Sequence, residues 1–147
     1  MRRPARGEWA LSYSSRAADG GRLLLRVALG VLILLHGIAK LKTGPVGVMA
    51  AVGRSDLPAF LAYGVYIGEV LAPLLLIVGL WTRAAALIVA INMLFAIGLV
   101  HMADLGTISR TGGWALELQG MYLASALAVA LLGAGRFSVG GAEGRWN

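Results

Sequence analysis

The chain of 147 residues contains no cysteine, only four prolines and only 14% charged side chains. Without thiols it can form no disulfide, no thiolate metal site and no CxxC redox centre of its own. Electrons crossing such a protein must ride on a bound cofactor, a quinone or a partner protein. Charge is scarce beside the ~25% of an ordinary soluble domain. Acidic groups are scarcer still, seven against 13 Lys and Arg. The sequence also lacks a Walker loop, a dinucleotide fingerprint and a nucleophile elbow.

Hydrocarbon is abundant, at 59% hydrophobic residues. Four apolar stretches are predicted to span a bilayer: Leu23–Leu41, Pro58–Leu80, Ala84–Ala103 and Trp114–Gly133. Each is close to the ~20 residues that a crossing helix needs. The predicted fold is all-α, an integral membrane four-helix bundle. It divides into a basic tail over 1–21, a transmembrane domain over 22–139 and a C-terminal tail over 140–147. The link Trp81-Thr82-Arg83 makes the second and third spans antiparallel neighbours, and Trp81 and Trp114 fall at the interfaces. The apolar run from Leu23 exceeds the ~7–15 residues of a signal-peptide h-region, so an uncleaved first helix is expected.

Positive charge sets the predicted orientation. Arg2, Arg3, Arg6, Arg16, Arg22, Arg26, Arg83, Arg136 and Arg145 lie on the side of both tails. Lys40, Lys42, Arg54 and Arg110 lie on the other. The positive-inside rule then puts both termini in the cytoplasm of a bacterium, with the bundle in its inner membrane. The net charge of +6 reads as a topology signal and an attraction to anionic lipid, with no nucleic-acid partner expected.

Four ionisable side chains fall inside the spans. A helical rise of ~1.5 Å per residue puts Glu69 near the midplane and His36 ~10 Å below the outer surface. His101 and Glu117 come within ~5 Å of that surface. A bare charge in hydrocarbon is costly unless paired or protonated. The expected site is therefore a polar pocket opening outward, with Glu69 as its floor. Pro73 has no N–H for the carbonyl of Glu69, and Tyr66 brings a hydroxyl to the same face. His36 is the expected partner of Glu69, while Lys40 snorkels to the interface. Asp104 is placed to orient His101, and Glu117 shares a stripe with Trp114 and Met121.

Lesser signals accompany these. Asn92 is predicted to face away from His101, as interhelical glue. Gly64 and Gly68 form a GxxxG pair for close helix approach, and Asp56 is a candidate cap for the second helix. The stretch 46–52 is apolar but too short to span, and is read as a brief interfacial or inward-folding helix. Two His and two carboxylates suit iron, zinc or haem, but their spacing names no metal site.

The sequence resembles the DoxX family of small four-helix membrane proteins. The resemblance rests on Arg26-Val-Ala-Leu-Gly with His36-Gly-Ile-Ala-Lys-Leu, on Gly68-Glu69, and on Leu76-Ile-Val-Gly-Leu-Trp-Thr-Arg83. His101, Gly112-Gly-Trp-Ala-Leu-Glu117 and Leu132-Gly-Ala-Gly-Arg-Phe-Ser138 complete it. It covers about residues 26–139. Ala134 stands where the family commonly has Pro, and Val139-Gly140 replace an acidic residue after the Ser. The resemblance implies a membrane subunit of a sulfur- or thiol-linked quinone redox system. It carries Lys40, Glu69, His101 and Glu117 onto motif positions.

Three functions fit this reading. The first is an oxidoreductase subunit with a quinone and a soluble or membrane redox partner. There Glu69, His36 and His101 would be catalytic, and Lys40, Tyr66, Trp114 and Glu117 would bind ligand. The second is a non-catalytic anchor or assembly subunit. The third is a small transporter or proton pathway, which four helices would build only as a homo-oligomer.

Overall fold

A computed structural model describes residues 6–141 and 144–147, with side chains from Arg16 onward. Residues 1–5 of the expected basic tail and 142–143 of the C-terminal tail lie outside the described residues. The described chain is helical, without a named strand; its one β contact is an isolated bridge between Ile108 and Trp114.

Helix α1 runs Arg6–Thr43, so the segment expected as a tail before Leu23 continues the first span as helix. Gly44, at φ 77°, stops it. Helix α2, Val46–Gly53, is short and apolar and turns Ala51 and Val52 inward. The second span, α3, covers Ala59–Val78. Helix α4 is Thr82–Val100 and α5 is Glu117–Leu132. The apolar parts of α1, α3 and α4 are long enough to cross a membrane. At 16 residues, α5 reaches only ~24 Å, because Trp114–Leu116 form a turn rather than its first turn of helix.

Span α3 is not a uniform helix. It opens as a 3-10 turn over Ala59–Tyr63 and becomes α at Gly64–Tyr66. It widens to π geometry over Ile67–Leu71 and returns to α over Ala72–Val78. Pro73 explains the widening: it cannot donate to the carbonyls behind it, so the turn before it loosens at little cost. The start of the span differs from expectation. Pro58 holds the cap position with no side-chain cap bond, and Asp56 sits at φ 52° instead.

Helix α1 meets α3 along Arg26, Gly30, Ile33, Gly37 and Lys40, an alternating four- and three-residue spacing that keeps one face on its neighbour. The two glycines let the backbones touch. A Cβ at Gly30 would lie 3.0 Å from the carbonyl oxygen of Pro73, and one at Gly37 would collide with the carbonyl of Glu69. Arg26 closes one end of the seam. Its guanidinium, 1% exposed, donates to the carbonyls of Leu76 (2.7 Å), Ile77 (3.1 Å) and Phe137. A cation at a helix C-terminus satisfies orphan carbonyls and complements the helix dipole.

The dry core lies on the Arg26 side of Glu69. Leu29, Ile33, Leu76, Val89 and Val129 pack there among Ala72, Ala85, Ala86, Ala90 and Ala126, small residues that let helices approach closely. Asn147 fastens the chain's end onto this half. Its Oδ1 accepts from the hydroxyl of Thr82 at 3.0 Å and from the Thr82 N–H at 3.3 Å. This tertiary contact caps α4, whose own cap residue Trp81 makes no side-chain bond.

Candidate functional site

On the other side of Glu69 the bundle is hollow. The close approach at Gly37 puts Lys40, one turn further along α1, directly over the π turn. The Lys40 ammonium there pairs with the carboxylate of Glu69. Glu69 is 6% exposed, and 28% of the Lys40 side chain is accessible. The hydroxyl of Tyr66 donates to the Lys40 carbonyl at 3.1 Å, taking up an orphan acceptor at the end of α1. The expectation that Lys40 snorkels outward is thus corrected: one stripe of α1 faces α3, and Lys40 lies on it. His36, expected to partner Glu69, lies four residues back on the neighbouring stripe. It faces Tyr122 edge-on, with ring centroids 6.1 Å apart.

Two cavities meet at the ion pair. The smaller, about 170 Å³, lies between α1, α4 and α5; His36, Lys40, Glu69, His101, Gln119 and Tyr122 supply its polar lining. The larger, about 690 Å³, lies between the end of α1, α2, α3 and α4. Its lining is mostly aliphatic, with Lys40, Thr43, Glu69, Asn92 and His101 as polar exceptions. Lys40, Glu69, Ala96 and His101 border both spaces. They form a partition, polar on one side and greasy on the other.

His101 is the C-cap of α4, with φ −119°, and no longer follows the helical period. This corrects the prediction that Asn92 and His101 cannot serve one site: both line the larger cavity. The Nε2 of His101 accepts from the Gln119 amide at 3.3 Å, and its Nδ1 faces the Asp104 carboxylate at 3.4 Å. The two contacts agree on one tautomer, with the proton on Nδ1. Asn92 packs on Gly68, where a Cβ would come within 2.5 Å of its Cγ, and its buried Nδ2 has no partner. Gly64 packs on nothing and leaves space in the cavity wall. The GxxxG pair is therefore split between packing and void.

The structure thus brings Glu69, His36, His101 and Lys40 to one pocket and leaves Tyr66, Trp114 and Glu117 outside both cavities. Tyr66 supports the site through Lys40. Trp114 and Glu117 build the turn that starts α5. The Glu117 carboxylate accepts from the Trp114 N–H at 3.1 Å, and the indole N–H donates to the Leu105 carbonyl at 2.8 Å. Sequence reasoning missed Gln119 and Tyr122, although their three-residue spacing on an apolar helix marks a shared polar face.

Among the described residues no group of three or more His, Asp and Glu converges to hold a metal ion. The two cavities instead offer hydrogen-bond donors: the remaining N–H groups of Lys40 on the shared wall, the amide of Gln119 in the smaller space and that of Asn92 in the larger. Such a set suits a ligand that carries hydrogen-bond acceptors, and an apolar chamber lies beside it.

Comparison with known proteins places these features in context. The DoxX family pattern matches residues 21–102, more than half of the chain. The matched segment contains Arg26, Gly37, Lys40, Glu69 and His101 and ends before Gln119. A Haemophilus influenzae protein described only as an "Uncharacterized protein" is 34% identical over 84 residues, 57% of this chain and 61% of its own length. A Bacillus subtilis protein named "Putative oxidoreductase CatD" is 35% identical over 83 residues, 56% of this chain and 61% of its own. The chain therefore matches about three-fifths of each relative's length. No solved structure matches it.

Proposed function

From the premise that this chain belongs to the DoxX family, we propose that it is a membrane subunit of a redox complex and receives a quinone headgroup at the Lys40–Glu69 partition. The observation that carries this reading is the joining of a small polar pocket to a large apolar one at a single ion pair. A bound quinone supplies two-electron chemistry coupled to two protons. The electrons come from a partner protein, since the chain has no thiol of its own.

The chain's own residues position and protonate. Lys40 and Gln119 orient a carbonyl oxygen by donation. His101 is oriented by Asp104 at Nδ1 and takes up and hands on a proton at Nε2, the nitrogen on the pocket side, while Asp104, whose side chain is 49% exposed, links the ring to water. Glu69 holds Lys40 in place and is the acid group nearest the ring. A positioned histidine and carboxylate are a common acid–base pair. The name of the Bacillus subtilis relative agrees with a redox role. The proposed setting is a bacterial inner membrane with both termini cytoplasmic. The arginine-rich ends of the chain support this, and tag accessibility at each terminus tests it.

The central test adds a short-chain benzoquinone to the purified protein and follows tryptophan fluorescence and thermal stability. A saturable change in either supports the site, and no change in both removes it. Glu69→Gln then separates a working site from an anchor. A quinone site loses turnover while its complex stays assembled, whereas an anchor keeps both.

A further inference from the structure

The geometry points to a chain-bearing ligand taken laterally from the bilayer, its hydrocarbon tail filling the 690 Å³ cavity and its polar head against Lys40, Asn92 and His101. The inference deepens the quinone reading and rests on it for the head alone. The tail site stands on separate observations.

The first is where the cavity opens. Three of its lining residues, Ile67, Ile91 and Phe95, are 51%, 52% and 52% exposed. Ile91 lies nine residues into α4, about 14 Å from its start, close to the middle of a ~30 Å hydrocarbon layer. The gap between α3 and α4 therefore opens toward acyl chains at mid-depth, in addition to the exposed outer end of the cavity at Val46 and Val100. A membrane amphiphile is already at that door.

The second is size and polarity. The volume falls within the ~300–1,000 Å³ of small-ligand sites, far beyond a packing defect, because interiors normally hold few voids larger than a water. Three of its polar side chains, Lys40, Glu69 and His101, lie at the partition with the small pocket, and the rest of the wall is mostly apolar. A ligand with one polar end and a long apolar end matches that distribution; a compact polar molecule does not.

The third is an unused donor. The Nδ2 of Asn92, a residue of the cavity wall, is buried without a partner among the described residues. Rotating the amide would turn its N–H groups toward the cavity. An acceptor on the ligand's head satisfies them.

The glycines in the wall supply a clean perturbation. A Cβ at Gly64 or Gly47 meets nothing within 4 Å, and both residues line the cavity. Gly64→Leu adds a side chain to the cavity wall from a helical position where a Cβ meets nothing, and it leaves Lys40, Glu69 and His101 themselves unchanged. Gly47→Leu, on α2, repeats the test from the opposite wall.

The experiment measures binding to the full chain in nanodiscs with three probes: a dimethoxy-methyl-benzoquinone, its decyl derivative, and dodecanoate, which has a tail and a carboxylate but no ring. Wild type is expected to bind the decyl quinone more tightly than the tailless ring. In Gly64→Leu that advantage should shrink about tenfold, through loss of the contacts that fill the void, while the tailless ring binds as before. Unchanged affinity of the decyl compound in both filled variants, with their melting curves intact, overturns the tail site. Failure of both quinones with retained, Gly64-sensitive binding of dodecanoate keeps the tail site and overturns the quinone head. Binding of the tailless ring alone overturns the tail site and keeps the quinone reading.

Discussion

Replacing Lys40 by Met should be among the most damaging single changes in the outer half of the bundle. Glu69 has 8% of its side chain exposed, against 28% for Lys40. Removing the cation leaves a carboxylate that pairs with no other cation among the described residues and that water barely touches. Breaking a buried pair in this way costs about 3–5 kcal/mol, and the partial wetting of Lys40 points to the lower end, about 3 kcal/mol. For a chain of this size that is a fall in Tm of roughly 10 °C. Glu69→Gln is close to isosteric and leaves a cation that can swing toward solvent, so about 1 kcal/mol is expected. The double variant carries neither charge and should recover most of the Lys40→Met loss, ending about 1 kcal/mol below wild type and giving a coupling of about 3 kcal/mol. Thermal melts of the four proteins in one detergent measure all of this. Equal single losses that simply add in the double variant would refute the pairing.

Three further outcomes follow from the seam and the cap. Gly37→Ala drives a methyl into the Glu69 carbonyl and should cost about 1–3 kcal/mol in the same melts, as overpacking does. Arg26→Lys loses the forked reach to three carbonyls; a drop of about 3 kcal/mol is expected, because a lysine cannot copy that geometry. Asn147→Ala removes the cap on Thr82 and should destabilise by about 1 kcal/mol, visible as faster amide exchange in the first turn of α4.

Much of the fold was legible because the bilayer imposes a coarse code. Runs of apolar residues longer than a hydrophobic core helix, bounded by Gly, Pro and Arg, locate the second, third and fourth spans to within a turn, while the first begins well before its predicted Leu23. Glu69 was legible for the same reason, since an acid at mid-depth must be answered by something. What answers it was not legible. Lys40 near a helix end fits snorkelling as well as pairing, and only the contact at Gly37 decides between them. Depth counting also treats every span as a straight α-helix. It therefore ranks residues by height but does not register the π turn, nor the release of His101 from the helical period at the end of α4. Trp114 and Glu117 misled because a tryptophan beside an acid reads equally well as a binding pair or as a helix-start turn.

The wide turn at Ile67–Leu71 amounts to one surplus residue threaded into a helix. Deleting Val70 would let the strand of backbone close into ordinary α geometry, rotating everything before it by ~100° and drawing it in by ~1.5 Å. The portion after it is pinned by Arg26, so the shift must be absorbed by Tyr66 and the segment ahead of it. Homologues one residue shorter at this point would be expected to show a solid, unperforated bundle, and those sharing the extra residue to keep the hollow.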